Sequence, residues 1–503
     1  MKAIKNSLFM IKYVLKFCPI YAFFSIVYVV SEIVMGLEEV YVISDVVDLV
    51  IAKAEFKEIL AALIRFTVIL GIGLIIQSFH VYYLRHRYRN VWIKKIQRVM
   101  FDKSANIDIE CFDDPKQYDL FTRALKEGDI KGIDTFDLIV NFLRSTGLLL
   151  SVGIYIVLKD PILLVLVLIQ AIASFVINSK NTKLWYKASK DNETNFRRHS
   201  YIKRVFYLEK NTCDIKTTNL GNLLRQNRID NKEALDEGYK KVEHKSFQYW
   251  LIEDIFYQIA RNFFGYAYLM GKVYGIFGSK ISIGVFGSTI VAINNFTNYI
   301  YGVVRGVVGI RENSMYIDDF MWLMNYKPKV EGRGGVTLEC DHPIIKVDNV
   351  SFKYPGQDNY ALKNVSLNLK PQEKVAIIGY NGAGKTTLMK LLLKFYDLEE
   401  GKISLDNEEY NNLDEQFLRS NYISVFQNFQ IYSLTILENI LFRERISGED
   451  DVICWRALEK AGLAKKIRSL EKGLDTMVTK EFDDEGLVLS GGEKQKLAMA
   501  RVF

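Results

Sequence analysis

Eight residues, Gly379-Tyr380-Asn381-Gly382-Ala383-Gly384-Lys385-Thr386, fit the spacing G-x-x-x-x-G-K-[ST]. They follow an apolar run, Val375-Ala376-Ile377-Ile378, that reads as a buried strand. They precede Thr387–Leu393, which reads as a helix. Strand, glycine loop and helix form the context in which this spacing does chemistry. Glycines let backbone N–H groups close around phosphate oxygens, and the helix N-terminus adds the positive end of its dipole. Lys385 is placed to reach the β- and γ-phosphates, and the Thr386 hydroxyl to hold Mg²⁺. The ligands expected on these residues are a nucleoside triphosphate and Mg²⁺.

A second loop of similar chemistry lies 110 positions further on. Leu489-Ser490-Gly491-Gly492-Glu493-Lys494-Gln495 precedes Lys496–Phe503, which reads as a helix. A serine hydroxyl and two glycines at a helix start make another anion site. One nucleotide rarely needs two such loops from one chain. The economical arrangement is a dimer, the second loop of one copy closing on the γ-phosphate held by the other.

The elements around these loops divide the 503 residues into unlike halves. Residues 1 to about 310 carry long apolar runs; from about 340 the composition is that of a soluble domain. A spanning helix needs roughly 20 mostly apolar residues. Six candidates are read near 17–36, 60–80, 136–158, 161–179, 250–276 and 281–304, the first continuing outward to about 50. Connections alternate between short and long. The long ones, 81–135 and 180–249, are charged and mostly of helical period, with turn regions near 108–120 and 211–224. They read as helix extensions reaching toward a soluble motor. Lys2, Lys5, Lys12 and Lys16, then Arg85, Arg87 and Arg89, then Lys180, Lys183 and Lys187 sit on one side of the spans. By the positive-inside rule that side is cytoplasmic, so an integral membrane protein, in the cell membrane and with both termini in the cytosol, is expected. The net charge of +7 is read as membrane topology, and no nucleic-acid partner is expected. The five cysteines, Cys18, Cys111, Cys213, Cys340 and Cys454, are scattered and suggest neither zinc nor disulfides.

Charges within apolar runs are the first place to seek a substrate path. Glu32, Glu38, Glu39, Asp45, Asp48, Arg65, Arg305 and Arg311 are the candidates, most of them expected instead near the membrane surfaces. Gly302 and Gly306 form a small-xxx-small pair suited to close helix packing. The stretch 325–343, with Pro328, Gly332, Gly334 and Gly335, reads as a linker. Strands Ile344–Phe352 and Val365–Leu369 ahead of the glycine loop, then mixed helix and strand, indicate an α/β domain. The expected domains are 1–324, a six-helix membrane domain, and 344–503, a P-loop nucleotide-binding domain.

With both loops in this order, the chain resembles a half-transporter of the ABC superfamily, exporter type. The resemblance covers nearly its whole length. It implies ATP-driven export of a drug, lipid or peptide by two half-transporters, identical or related, surrounded by membrane lipid. It also implies roles. Tyr354, in Phe-Lys-Tyr-Pro, matches the aromatic that stacks on adenine. Gly379, Asn381, Gly382, Ala383, Gly384, Lys385, Thr386 and Thr387 match the Walker A loop. Gln427, in Ser-Val-Phe-Gln-Asn, matches the glutamine on Mg²⁺, a role it shares with Thr386. Ser490, Gly491 and Gly492 match the signature, with Glu493 where glutamine is commoner. Asp483-Asp484-Glu485-Gly486 matches the acidic segment before it, and Cys111–Pro115 the first coupling region.

The family's Walker B aspartate, its catalytic glutamate and its switch histidine follow the signature helix. Asp406 lies too early, and His80, His86, His199, His244 and His342 all precede the glycine loop. No general base is therefore assigned, and it is expected beyond Phe503. The favoured reading is a C-terminally incomplete piece of an ATPase. The competing one is a non-hydrolysing or degenerate ATP-binding subunit that regulates a partner.

Overall fold

A computed structural model describes residues 2–208, 211–278, 280–328, 335–338 and 343–503. Gly332, Gly334, Cys340 and His342 lie outside the described residues. The chain forms two compact units: Met1–Ala105 with Asp119–Tyr326, and Asn106–Tyr118 with Lys327–Phe503.

The first unit is all helix. Its elements are α1 (Lys2–Phe17), α2 (Pro19–Ile51), α3 (Phe56–Ser78) and α4 (Arg85–Ala105), the last two joined by a π-helical stretch, Phe79–Leu84. Next come α6 (Pro115–Lys159), α7 (Pro161–Asp191), α8 (Glu193–Tyr207), α9 (Thr212–Thr217), α10 (Leu220–Gln258), α11 (Tyr266–Tyr274) and α12 (Ile283–Asn325). Between α4 and α6, and belonging to the second unit, lies α5 (Glu110–Asp113). Among the described residues, four helical stretches are long and apolar enough to cross a membrane: Pro19–Ile51, Phe56–Ala105, Pro115–Lys159 and Pro161–Asp191. They contain most or all of the first four spans read from the sequence. The fifth and sixth segments are helical as well. They carry Glu253, Asp254 and Lys272, and Asn294, Asn295 and Asn298, and so are more polar than the other four.

Val40, Val152, Ile156, Leu163, Leu269, Ile293 and Phe296 form a buried core among α2, α6, α7, α11 and α12. On α3, by contrast, Ile64, Val68, Ile72 and Ile75 are exposed along one face, where hydrocarbon is the fitting solvent. Charges in the helices find partners on neighbouring helices. Arg65 bridges Glu38 and Asp45, each at 2.7 Å. Arg144 pairs with Glu32 at 3.0 Å, and Asp48 accepts from Ser282 and from the Gly284 N–H. Glu39 accepts from Asn295, while Arg305 and Arg311 are exposed. In an apolar medium a paired charge is cheaper than a lone one, so these pairs tie helices together. The Gly302–Gly306 face packs on α6: a Cβ at Gly306 would come 2.9 Å from Phe142 Cβ.

The second unit contains β1 (Ile345–Phe352), β2 (Leu362–Leu369), α13 (Lys385–Leu392), β3 (Glu400–Leu405), β4 (Glu408–Glu409), α14 (Glu415–Ser420), α15 (Ile436–Leu441), α16 (Gly448–Ala461), α17 (Ala464–Arg468) and α18 (Gly491–Ala500). The four strands form an antiparallel sheet in the order β2-β1-β3-β4, with Ile345 opposite both Leu369 and Leu405. One core joins this sheet to α13 through Val347, Val350, Leu388, Leu391 and Ile403. A second core gathers α15–α18 through Ile436, Leu458, Ile467 and Leu497. Part of the linker is stitched to the domain, the Asp414 N–H donating to Val336 O at 3.0 Å.

One expectation fails here. Val375–Ile378 joins no strand ladder, and Ile378 and Tyr380 are 93% and 91% exposed. A core strand of a parallel sheet is buried only between neighbouring strands. Among the described residues none flanks this run.

Candidate nucleotide-binding site

The glycine loop has the backbone its spacing demands. Gly382 and Gly384 adopt φ of +86° and +82°, a region that L side chains rarely enter. A Cβ on Gly384 would also lie 2.5 Å from Leu362 Cδ2 and 2.7 Å from Ala361 O. Gly384 caps α13, and Asn381, Gly382, Ala383 and Thr386 are exposed. The loop thus presents its backbone to solvent at a helix N-terminus, an arrangement that fits a polyphosphate. Lys385 Nζ donates to Gly379 O and Tyr380 O, both at 2.7 Å. Its ammonium is held across the loop, where phosphate oxygens can take over from the carbonyls.

Tyr354 is brought to this loop. Its hydroxyl lies 3.1 Å from the buried Thr387 Oγ1, and Lys390 Nζ is 5.2 Å from its ring centroid. Gln427 is exposed in a turn; its neighbour Phe426 stacks on Phe395, just past α13. Among the described residues no three His, Cys, Asp or Glu side chains gather into a metal cage. Mg²⁺ held by Thr386 and Gln427 would therefore take most of its ligands from phosphate and water, as this ion commonly does.

The signature loop sits on the other core. The helix expected from Lys496 begins at Gly491 instead, with Ser490 as its N-cap. Ser490 Oγ accepts from the Glu493 N–H at 3.4 Å, and Glu493 Oε2 accepts from the Ser490 N–H at 2.9 Å. This reciprocal pair nucleates the helix early. Lys466 Nζ lies 2.7 Å from Glu493 Oε1. The Lys466 ammonium, then the Ser490 N–H, pull the Glu493 carboxyl down to about 2, so it is ionised at neutral pH. Among the described residues no hydrogen bond or ion pair joins Ser490–Gly492 to the glycine loop. Ahead of the signature, Lys472 Nζ lies 3.2 Å from Glu485 Oε2 and 3.7 Å from Asp483 Oδ2.

Sequence reasoning passed over Tyr396. Its ring packs edge-on against Tyr354, centroids 5.5 Å apart, and its hydroxyl donates to Asp113 on α5. Burial, then the Asp113 carboxylate, push the Tyr396 hydroxyl well above the usual tyrosine range, so it remains a donor. Ile109 packs against the same core. Segment 106–118 is thereby docked beside Tyr354, through a contact between residues 283 positions apart that no local pattern signals.

The fold matches a solved bacterial Atm1-family ABC exporter with ATP bound, at a TM-score of 0.74. That match covers 97% of this chain and 84% of the other at 20% identity. Residues 362–503 match the ABC transporter family model. That stretch is an ABC transporter domain. Over most of its length the chain is similar to exporter-type ABC half-transporters, with a helical membrane part ahead of the nucleotide-binding part. Its likeness to the subtilin transport ATP-binding protein SpaT of Bacillus subtilis is 27% identity over 89% of this chain and 72% of the relative. For the nisin transport ATP-binding protein NisT of Lactococcus lactis subsp. lactis the figures are 26%, 80% and 66%. An ATP-dependent lipid A-core flippase of Aliivibrio fischeri is 23% identical over 82% of this chain.

Proposed function

We propose that two such half-transporters, a second copy or a related chain supplying the other half, export a drug, lipid or peptide at the expense of ATP. The reading rests chiefly on one observation: two anion-competent helix starts, Gly379–Thr386 and Ser490–Gly492, stand on separate cores with no hydrogen bond or ion pair between them among the described residues. ATP with Mg²⁺ binds the loop of one half on Tyr354, Gly379, Asn381–Thr387 and Gln427. Ser490, Gly491 and Gly492 of the other half close on its γ-phosphate. Closure is favoured only by the difference in affinity between the open and closed states, and the bridging γ-phosphate supplies it. Closure then draws on segment 106–118 and on the turn around 211–224, and through them on the helices of the membrane domain. The nucleotide-binding domains face the cytosol and the membrane is the cell membrane.

Three of the relatives are named for moving subtilin, nisin and lipid A-core. Full-length protein in vesicles, assayed for ATP turnover with each of these added, tests the transport reading. Stimulation by one of them supports it, and a turnover indifferent to all three and to the membrane counts against it.

The Tyr396–Asp113 contact gives a separate expectation. Removing a hydrogen bond to a carboxylate costs about 1.5–3 kcal/mol. Tyr396→Phe is expected to leave ATP affinity within about twofold and to lower the substrate moved per ATP hydrolysed, because α5 is held less firmly. Parallel transport and phosphate-release assays check this. An unchanged ratio would show that the contact carries no coupling.

A further inference from the structure

The signature holds a carboxylate where its role asks for none. Glu493 is three residues from Ser490, and its Oε2 is bound to the Ser490 N–H. In the proposed dimer an ATP γ-phosphate must approach this same helix start. An ionised side chain within one turn of it repels that phosphate and offsets the dipole that should attract it. Lys466, on α17, places its ammonium 2.7 Å from the other oxygen of that carboxylate.

We propose that Lys466 is a positioning residue for nucleotide: by neutralising Glu493 it lets the signature of one half close on the ATP held by the other. This rests on the dimer reading above. The pair is partly exposed, at 38% for the lysine side chain and 26% for the glutamate, so its worth to the fold is small. Its effect falls instead on the anion that must dock a few ångströms away. A lysine at this place is required only because Glu493 is charged. With glutamine at 493 the requirement disappears.

The test uses full-length protein in membranes, with a photo-cross-linking residue at Val488, which is 63% exposed and lies two residues ahead of Ser490, outside the loop that must meet the phosphate. The readout is the ATP concentration that half-saturates cross-linking to the opposing half, measured for the parent, for Lys466→Gln and for Lys466→Gln with Glu493→Gln. Labelling of each by 8-azido-ATP reports binding to the glycine loop alone. Lys466→Gln is expected to raise the half-saturating concentration about five- to tenfold without changing the labelling. The double variant is expected to return it to within about twofold of the parent. An unchanged value in Lys466→Gln overturns the inference. So does an equal rise in the double variant, which would mark Lys466 as holding α17 rather than balancing charge. A parent that gives no ATP-dependent cross-link overturns the dimer reading itself, and the inference with it.

Discussion

Lys385→Ala is expected to abolish ATP turnover in the full-length protein, lowering kcat by about 100-fold or more. Phosphoryl transfer offers the protein little covalent chemistry to perform, so catalysis is mainly positioning and charge stabilisation. Removing one preorganised donor aimed at developing charge costs about two to three orders of magnitude. Lys385 is already poised, its ammonium bound to Gly379 O and Tyr380 O across the mouth of the loop. Alanine leaves those carbonyls to solvent and the γ-phosphate without its cation. The fold is expected to tolerate the change, since the Gly384 backbone, which caps α13, is untouched. Phosphate release from purified protein in vesicles is the measurement. Activity retained at more than about a tenth of the parent's would remove Lys385 from the site.

The second large effect separates binding from closure. Ser490→Arg is expected to abolish ATP-dependent association of the two nucleotide-binding domains while leaving 8-azido-ATP labelling largely intact. Two losses combine. The N-cap hydroxyl that receives the Glu493 N–H is gone, at about 1 kcal/mol of helix stability. A long side chain also fills the exposed space in front of Gly491 and Gly492 that the opposing nucleotide needs. The glycine loop stands on a different core and feels neither change. Loss of labelling would mean that the signature acts on the nucleotide of its own chain.

How much of this was legible in the sequence follows from how local each feature is. The glycine loop was legible residue by residue, because its function depends on backbone conformations that glycine alone adopts readily; φ of +86° and +82° at Gly382 and Gly384 follow from the spacing. The first four spans were legible because about 20 apolar residues in a row admit few other readings. Burial of Val375–Ile378 was not, because it depends on neighbouring strands, and the run has none among the described residues. The residue pattern places the start of α18 five residues late, because two adjacent glycines signal loop and the Ser490–Glu493 capping pair outweighs them. Candidate substrate-path charges such as Arg65 and Glu32 turned out to have partners, Glu38, Asp45 and Arg144, that only helix packing supplies. Tyr396 and Lys466 carry no motif. Each acquires its part from a residue that the fold brings near, Asp113 in one case and Glu493 in the other.

The most direct test of the central claim is photo-cross-linking from the exposed Val488 in membranes, with and without ATP, followed by mass spectrometry of the adduct. The account predicts an ATP-dependent product that joins two halves, at about twice the mass of one half. Its linked peptide should contain the glycine loop of the opposing half, Gly379–Thr387 of a second copy or the matching loop of a related chain. A cross-link to the loop of the same polypeptide, or a product indifferent to ATP, would contradict it.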